Sequence, residues 1–292
     1  MIIGLLLFAC LTPENGTHQQ SSWTILGINQ DGSLIDARFT QGNSGMVAQS
    51  GHVRTDWVPT QDVPARHIRH ETAGAIQEDS THIKIGTDQL RSGPSGWALT
   101  INSDAMNARI QLQNALVKLP ETQTPGWNIR SLFVGEMNGF IHMGEKNALI
   151  NGFAVGLHSS GTSPPGLRGQ IRRQAFVLDK DLFIGIDQFG SNVTAFAMIG
   201  GQQLDTTTAA LHKETRGFRM DFRPNLDLEI LLEPRKPHLS SNPWDHLYGI
   251  EQWVASWKYK RPTHRVRAAE AEIRLGDRKL TANAIIAVNT FR

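Results

Sequence analysis

The 292-residue sequence has one cysteine, two tyrosines and almost no excess of charge of either sign. One cysteine excludes an internal disulfide framework and any structural zinc site that uses several thiolates. The 29 Lys and Arg residues nearly balance the 27 Asp and Glu residues, so the net charge is only +2 at pH 7. Such a balance does not fit a protein that coats nucleic acid, and no nucleic-acid partner is expected.

Other features are absent as well. No apolar run approaches the about 20 residues that a membrane-spanning helix requires. No Gly-rich phosphate-binding loop precedes a helical pattern, and no Gly-x-Ser-x-Gly nucleophile motif occurs, so we expect no cofactor. The hydrophobic fraction of 39% is nevertheless enough for a folded core. The length suits one large β domain or two domains of about 100–150 residues each.

The N-terminal segment Met1–Cys10 is almost entirely apolar and ends at the only cysteine. The run Leu7–Cys10 has the order of a bacterial lipobox, with a small residue before the cysteine that receives lipid. We therefore interpret residues 1–10 as a lipoprotein-type signal, Cys10 as the lipidation site, and the polar residues 11–22 as a tether. This interpretation predicts a location in the cell envelope, at the outer membrane or periplasmic side in a Gram-negative host. The alternative is a short apolar strand with a buried cysteine.

From Trp23 onward, apolar and polar residues alternate with the period of two that is typical of half-buried strands. The pattern is clear over residues 106–113 and 269–275, and the second run leads through a turn at Gly276–Lys279 into another alternating run. Further hairpin turns are predicted at Asp31–Gly32, Asn138–Gly139 and Gly190–Asn192. The spacing predicts an all-β fold of roughly 14 to 18 strands, as in sandwiches and barrels. We place the domain boundary between residues 145 and 146.

The segment Pro59–Asp79 has no clear period and contains two prolines, so it is predicted to be a lid or a flexible flap. Within it, His67, His70 and Glu71 resemble a helical metal motif only superficially. The histidines are three residues apart instead of four, and the glutamate follows the second histidine. A solvated loop is the expected structure, and no metal site is predicted.

The strand predicted over Ile150–His158 has small residues on one face, including Gly156, and a histidine at its end. Such a row leaves space for another backbone or for a ligand, and His158 would then be the polar group at the end of an apolar groove. The alternative is close sheet packing with a hydrogen-bonded histidine.

Other candidate site residues lie further along the chain. Asp187 shares a predicted strand face with Phe183, so its carboxyl group either sits in an apolar cavity with a raised pKa or points to solvent. The aromatic residues Trp253 and Trp257 belong to a basic and aromatic cluster that fits an anionic lipid surface better than nucleic acid, against a charged outer strand face. The ligand-binding candidates are His158, Gly156, Asp187, Phe183, Trp253 and Trp257.

Three stretches resemble the AttH-like and carotenoid 1,2-hydratase group, whose members consist of two consecutive lipocalin-like β domains. These stretches are Trp23–Gly32, Gly152–Gly161 and Tyr248–Trp257. The resemblance implies two antiparallel lipocalin-like β-barrel or sandwich domains, here residues 23–145 and 146–292, around an apolar cavity. The family often carries an Asp-His-x-Trp-Gly motif whose acid protonates an alkene. Leu157 stands in place of that acid and Ser160 in place of the tryptophan, so only His158 and Gly161 match.

The leading prediction is a lipid-anchored envelope protein that binds a hydrophobic small molecule, such as a terpenoid or an acyl lipid, without catalysis. The alternative is a hydratase, isomerase or cyclase that acts on a polyene without a metal. Its candidate proton donors are His158, Asp187 and Glu251. A further alternative is a non-catalytic scaffold at the envelope.

Overall fold

In a computed structural model, the structure describes residues 19–42, 50–61, 64–119, 122–124, 127–162, 171–190, 192–223, 226–241 and 263–290. These residues form two antiparallel sheets, one a nearly closed barrel and the other a half-barrel. The prediction of an all-β fold with two lipocalin-like domains is confirmed. Among the described residues, no helix has the length and apolar character needed to cross a membrane.

The first sheet has the strand order β4-β3-β2-β1-β12-β11-β9-β8-β7-β6-β5, and β10 pairs with β11. A short 3-10 helix, Ala73–Ala75, connects its two edge strands β4 and β5. The strands are β1 (Gln19–Asn29), β2 (Leu34–Gly42), β3 (Ser50–Val58), β4 (Ala65–Thr72), β5 (Ile76–Glu78), β6 (His82–Ile85), β7 (Asp88–Gly93), β8 (Gly96–Asn102), β9 (Asn107–Leu119), β10 (Thr122–Thr124), β11 (Trp127–Met143) and β12 (Lys146–Thr162).

The second sheet has the order β16-β15-β14-β13-β21-β20-β19-β18-β17. Its strands are β13 (Ile171–Asp179), β14 (Leu182–Phe189), β15 (Asn192–Ile199), β16 (Gln202–Gln203), β17 (Ala210–Glu214), β18 (Gly217–Asp221), β19 (Leu228–Ser241), β20 (Thr263–Leu275) and β21 (Arg278–Thr290). The two sheets therefore divide the chain between Thr162 and Ile171, later than the boundary predicted at residues 145 and 146. Strand β12 lies after that predicted boundary, but it pairs with β1 and β11 and so completes the first sheet.

The N-terminal predictions fall mostly outside the described residues. Residues 1–18, which include Cys10, are among those that the structure does not describe. The last four residues of the predicted tether, 19–22, belong to β1.

The alternating pattern buries three apolar clusters. One fills the interior of the first sheet and includes Trp23, Phe39 and Trp97. A second fills the half-barrel, where the predicted alternation over residues 269–275 places Ala271 at its centre. The third lies between the sheets, because the opposite faces of strands from both sheets contribute to it.

One predicted turn is wrong. Strand β11 runs through Asn138 and Gly139, and its hairpin with β12 turns instead between Met143 and Lys146. Gly139 has a φ of +156°, and a Cβ atom there would lie 2.0 Å from the backbone oxygen of Arg109 on β9. The glycine therefore permits close approach of a neighbouring strand and not a change of direction.

The predicted lid is also different in the structure. Residues 65–78 form β4, the 3-10 helix and β5. Strands β4 and β5 are the two edges of the nearly closed first sheet, and the gap between these edges is called the seam below. His67 Nε2 lies 2.7 Å from Asp88 Oδ2 on β7, and Arg69 Nε donates to the same oxygen at 2.7 Å. The inward positions of β4 thus hold polar side chains that bridge the seam, so the apolar alternation used to recognise strands is missing. His70 lies on the opposite face of β4, beside His52 of β3.

A polar cluster joins the two sheets where the apolar contact between them ends. Asp36 of β2 accepts hydrogen bonds from Arg38 Nε at 2.9 Å, and its other oxygen lies 2.8 Å from His264 Nε2 of β20. His264 Nδ1 lies 2.5 Å from Asn289 Oδ1 on β21. Asp36 and His264 are each 1% exposed. The relative position of the sheets is therefore fixed by buried charge as well as by apolar contact.

Candidate functional site

His158 and Trp23 form the centre of a polar site in the interior of the first sheet. They are cross-strand neighbours on β12 and β1, and their rings stack with centroids 3.7 Å apart and an interplanar angle of 16°. Trp23 is fully buried and His158 is 6% exposed. Stacking on the indole fixes the orientation of the imidazole and directs its Nε2 atom along the sheet interior.

Glu78 of β5 brings a carboxylate to this pair. Trp23 Nε1 donates to Glu78 Oε1 at 2.7 Å, and the Ser21 hydroxyl also donates to Oε1. Ser21 Oγ lies 3.2 Å from His158 Nε2, and Glu78 Oε1 lies 3.9 Å from the same nitrogen. With the Ser21 proton directed to Glu78, the tautomer of His158 that carries a proton on Nε2 would donate to Ser21 Oγ. The three groups thus form a chain in which a proton can move between imidazole and carboxylate through a hydroxyl.

The surroundings of this chain are apolar and largely closed to water. The Trp97 ring lies 5.6 Å from the Trp23 ring. The side chains of His158 and Glu78 are only 8% and 12% exposed. Bulk water therefore has little access to the proton chain.

The space above the predicted row of small residues on β12 is filled by another side chain of the protein. Gly156 faces the same interior as His158, and a Cβ atom at this position would lie 2.8 Å from the indole of Trp97. The space above the glycine therefore accommodates an aromatic side chain of β8. His158 has hydrogen-bonding and stacking partners, as expected from the alternative of close packing.

Asp187 and Phe183 lie on β14 of the second sheet, away from the interior that contains His158. Arg172 donates to both oxygens of Asp187, at 2.9 and 2.5 Å, and Gln174 Nε2 lies 3.3 Å from one of them. Burial lowers the pKa of Arg172, but the Asp187 carboxylate outweighs this effect and raises it. Asp187 is thus one member of a buried ion pair. Phe183 packs against Phe153 in the apolar cluster between the two sheets.

Glu251, Trp253 and Trp257 lie outside the described residues. Of the predicted site residues, the structure brings His158 and Gly156 to one interior and separates them from Asp187 and Phe183. Glu78 and Trp23 were not predicted. The available signal for Glu78 was weak, since Ile76 and Glu78 alternate around Gln77 just before the turn residues Asp79 and Ser80.

Comparison with known proteins relates the fold to a structural group. No family model matches the chain, and no curated protein matches it in sequence. The solved structure of CghA with Sch210972 superposes with a TM-score of 0.67 at 9% identity, covering 94% of this chain and 89% of that one. A Nitrosomonas europaea protein described as AttH gives 0.64 at 8% identity, with 94% and 93% covered. The chain has the AttH-like fold.

Kievitone hydratase from Nectria haematococca superposes less closely, with a TM-score of 0.54 at 7% identity over 93% of this chain and 88% of that one. At such identities the similarity concerns the fold of both β domains. It assigns no residue of this chain to a chemical step.

Proposed function

We propose that this protein is an enzyme that transfers a proton to or from a hydrophobic small molecule, in the hydratase, isomerase or cyclase class. The observation that supports the proposal is the buried chain His158–Ser21–Glu78 beside Trp23. Protonation of a carbon–carbon double bond requires a general acid held against an apolar substrate. A mostly buried carboxyl group beside Trp23, connected to a second titratable group that can replace its proton, can take that role.

In this reaction, Glu78 in its protonated form donates to one alkene carbon, which leaves a carboxylate and a carbocation. The carbocation then either adds water, whose extra proton returns to the Glu78 carboxylate and gives hydration, or loses a different proton to that carboxylate, which gives isomerisation. A protonated His158 supplies the first proton to Glu78 through Ser21 and becomes neutral. The Trp23 and Trp97 rings provide π-faces that stabilise positive charge nearby. The fold supports this class, because kievitone hydratase and CghA share it.

Deuterium incorporation provides a test that does not depend on the final product. The full chain is incubated in D₂O with a panel of polyenes, such as squalene and geranylgeraniol, and the recovered lipids are analysed by mass spectrometry. We expect Glu78→Gln to reduce incorporation by about 10²–10⁴-fold, the usual contribution of a general acid. Glu272→Gln, which changes an exposed carboxylate, is the matched control. Unchanged incorporation in Glu78→Gln would remove the acid from the mechanism.

A second candidate function is binding without catalysis, and a cavity at the mouth of the first sheet favours it. This cavity of about 520 Å³ is open to solvent and is lined by Asp31, Trp57, Pro59, Thr60, Gln61, Asn147, Ala148 and Leu149. Leu149 is 84% exposed, and the buried Nε1 atom of Trp57 has no hydrogen-bond partner among the described residues. An apolar molecule with one acceptor oxygen would cover the Leu149 side chain and accept a hydrogen bond from Trp57 Nε1. Solvent extraction of purified protein followed by mass spectrometry should then recover a stoichiometric lipid, and repeatedly empty protein would argue against binding.

We also propose attachment to a membrane through Cys10, with a location in the cell envelope. Two acyl chains bury enough methylene groups, at about 0.8 kcal/mol each, to make release slow. Metabolic labelling with a clickable fatty acid should mark the wild type but not Cys10→Ser, whose β domains should fold unchanged. Equal labelling of both proteins would contradict the anchor.

A further inference from the structure

Among the described residues, three arginines at one end of the half-barrel have no acidic partner. Arg173 of β13 is half-buried, and Arg265 and Arg267 of β20 are exposed. Among the described residues, none of the three guanidinium groups forms an ion pair or a hydrogen bond. The adjacent Arg172, by contrast, lies on the opposite face of β13 and forms an ion pair with Asp187 of β14.

The three arginines share the inner face of the half-barrel with its apolar cluster. Arg267 is the cross-strand neighbour of Ile286, which is buried in that cluster, and Arg265 is the neighbour of Val288, which packs against it. Arg173 flanks Val288 from the other side. Neighbouring strands are about 4.8 Å apart and alternate residues about 7 Å apart, so the three long side chains can converge above Val288.

The other described positions at this end of the inner face carry no carboxylate, and His238 is the cross-strand neighbour of Arg267. The row that contains Arg173 and Arg265 continues through Gln188 to Val193 on one side and to Ser240 on the other. Val193 is 38% exposed, and the buried Oε1 atom of Gln188 has no hydrogen-bond partner among the described residues. No carboxylate lies at any of these described positions, so the sheet itself does not neutralise the positive charges.

From this arrangement we propose that this end of the inner face of the half-barrel binds the anionic group of an amphiphilic molecule, a carboxylate or a phosphate with an alkyl chain. Guanidinium groups bind such oxyanions in a bidentate manner, which a lone ammonium group cannot do. The alkyl chain lies on Val288 and Val193, which are accessible beside the arginines. The site is separate from His158 and Glu78 in the first sheet, so it is independent of the proposed proton transfer.

Isothermal titration calorimetry with the full chain tests the proposal, with dodecanoate, dodecanol, acetate and inorganic phosphate as probes below their micelle concentrations. We expect dodecanoate to bind at least tenfold more tightly than the other three probes. The double variant Arg265→Gln/Arg267→Gln and the single variant Arg173→Gln should each weaken dodecanoate binding at least tenfold. Arg278→Gln, which changes the exposed first residue of β21 at the other end of that strand, is the matched control and should bind as the wild type does.

Several results would overturn the proposal. Equal affinity for dodecanol and dodecanoate would show that the arginines do not recognise the head group. Equal affinity for phosphate and dodecanoate would show a site for a small anion without an alkyl chain. Binding that appears only with phosphatidylglycerol vesicles, and not with dodecanoate, would show that the arginines contact a membrane surface. The far-UV circular dichroism of each variant, unchanged from the wild type, excludes loss of folding as the cause.

Discussion

Replacement of Asp36 by Asn should separate the contribution of buried charge from that of apolar contact between the sheets. Burial by itself raises the pKa of Asp36, but the charges and hydrogen bonds of Arg38 and His264 outweigh it and hold that pKa well below its usual range. The carboxylate is therefore ionised at all ordinary pH values. Asn has nearly the same shape but no charge, so Arg38 loses its ion-pair partner in a largely buried position.

The size of the effect follows from the exposure of the partners. Loss of one member of a buried ion pair usually costs about 3–5 kcal/mol, because the other charge stays buried without compensation. The Arg38 side chain is 21% exposed, so water replaces part of the lost interaction, whereas His264 is almost fully buried. We therefore expect a loss near the lower end, about 3 kcal/mol in the free energy of unfolding.

Urea unfolding followed by tryptophan fluorescence measures the loss, with midpoints compared at constant slope. Glu272→Gln, which removes an exposed carboxylate beside Arg274, should leave the midpoint unchanged. Combining Asp36→Asn with His264→Gln should give a coupling energy of about 1 kcal/mol or more, because the two residues are in contact across the sheets. A midpoint for Asp36→Asn equal to that of Glu272→Gln, or additive double-variant effects, would refute this account of the interface.

Other perturbations have equally definite outcomes. Burial and the charge of Arg38 lower the pKa of His264, so the unfolded state binds the proton first as the pH falls below about 6.5. The contribution of neutral His264 to the free energy of unfolding should be fully present above that pH. Below it, the free energy of unfolding should fall by at most about 1.4 kcal/mol per pH unit, and it should fall less in His264→Gln. Urea midpoints at pH 7.5, 6.5 and 5.5 measure both effects. Gly156→Ala places a Cβ atom 2.8 Å from the Trp97 ring and should lower the free energy of unfolding by about 1–3 kcal/mol, measured by thermal unfolding. The control is Gly74→Ala, whose Cβ atom meets no atom within 4 Å, and its unfolding temperature should not fall. Arg172→Met leaves Asp187 buried without its cation and should cost about 3–5 kcal/mol in urea, and adding Asp187→Leu should restore most of the loss.

Strands with an apolar face were predictable from the sequence, and those with a polar inward face were not. Ala108, Ile110 and Leu112 alternate with polar residues, and all three are fully buried in β9. Strand β4 instead presents His67 and Arg69 to the seam, where Asp88 on a distant strand compensates them. The alternation that identifies a strand in a sequence is an alternation of hydrophobicity. A strand is therefore not recognised where charged side chains that pair with each other replace apolar ones on its inward face.

The candidate site was only half predictable for a related reason. His158 was recognisable from the run of small residues before it, which belongs to a single strand. Its partner Glu78 is connected to Ser21 across 57 positions of the chain, and β5 and β1 are not neighbours in the sheet. Their proximity results from curvature that brings the interior faces of distant strands together, a property that no local pattern encodes.

The position of Leu157 explains why the carboxylate of this site comes from another strand. Successive residues of a strand point to opposite faces, so Leu157 and His158 of β12 cannot serve one interior. Leu157 is 5% exposed and packs in the apolar contact between the two sheets, where an ionised carboxylate would have no partner among its apolar neighbours. His158 faces the interior of the first sheet, and Glu78 reaches it there from β5. The residue at the acid position of the motif therefore faces the apolar contact between the sheets, whereas the carboxylate that lies 3.9 Å from the histidine comes from β5.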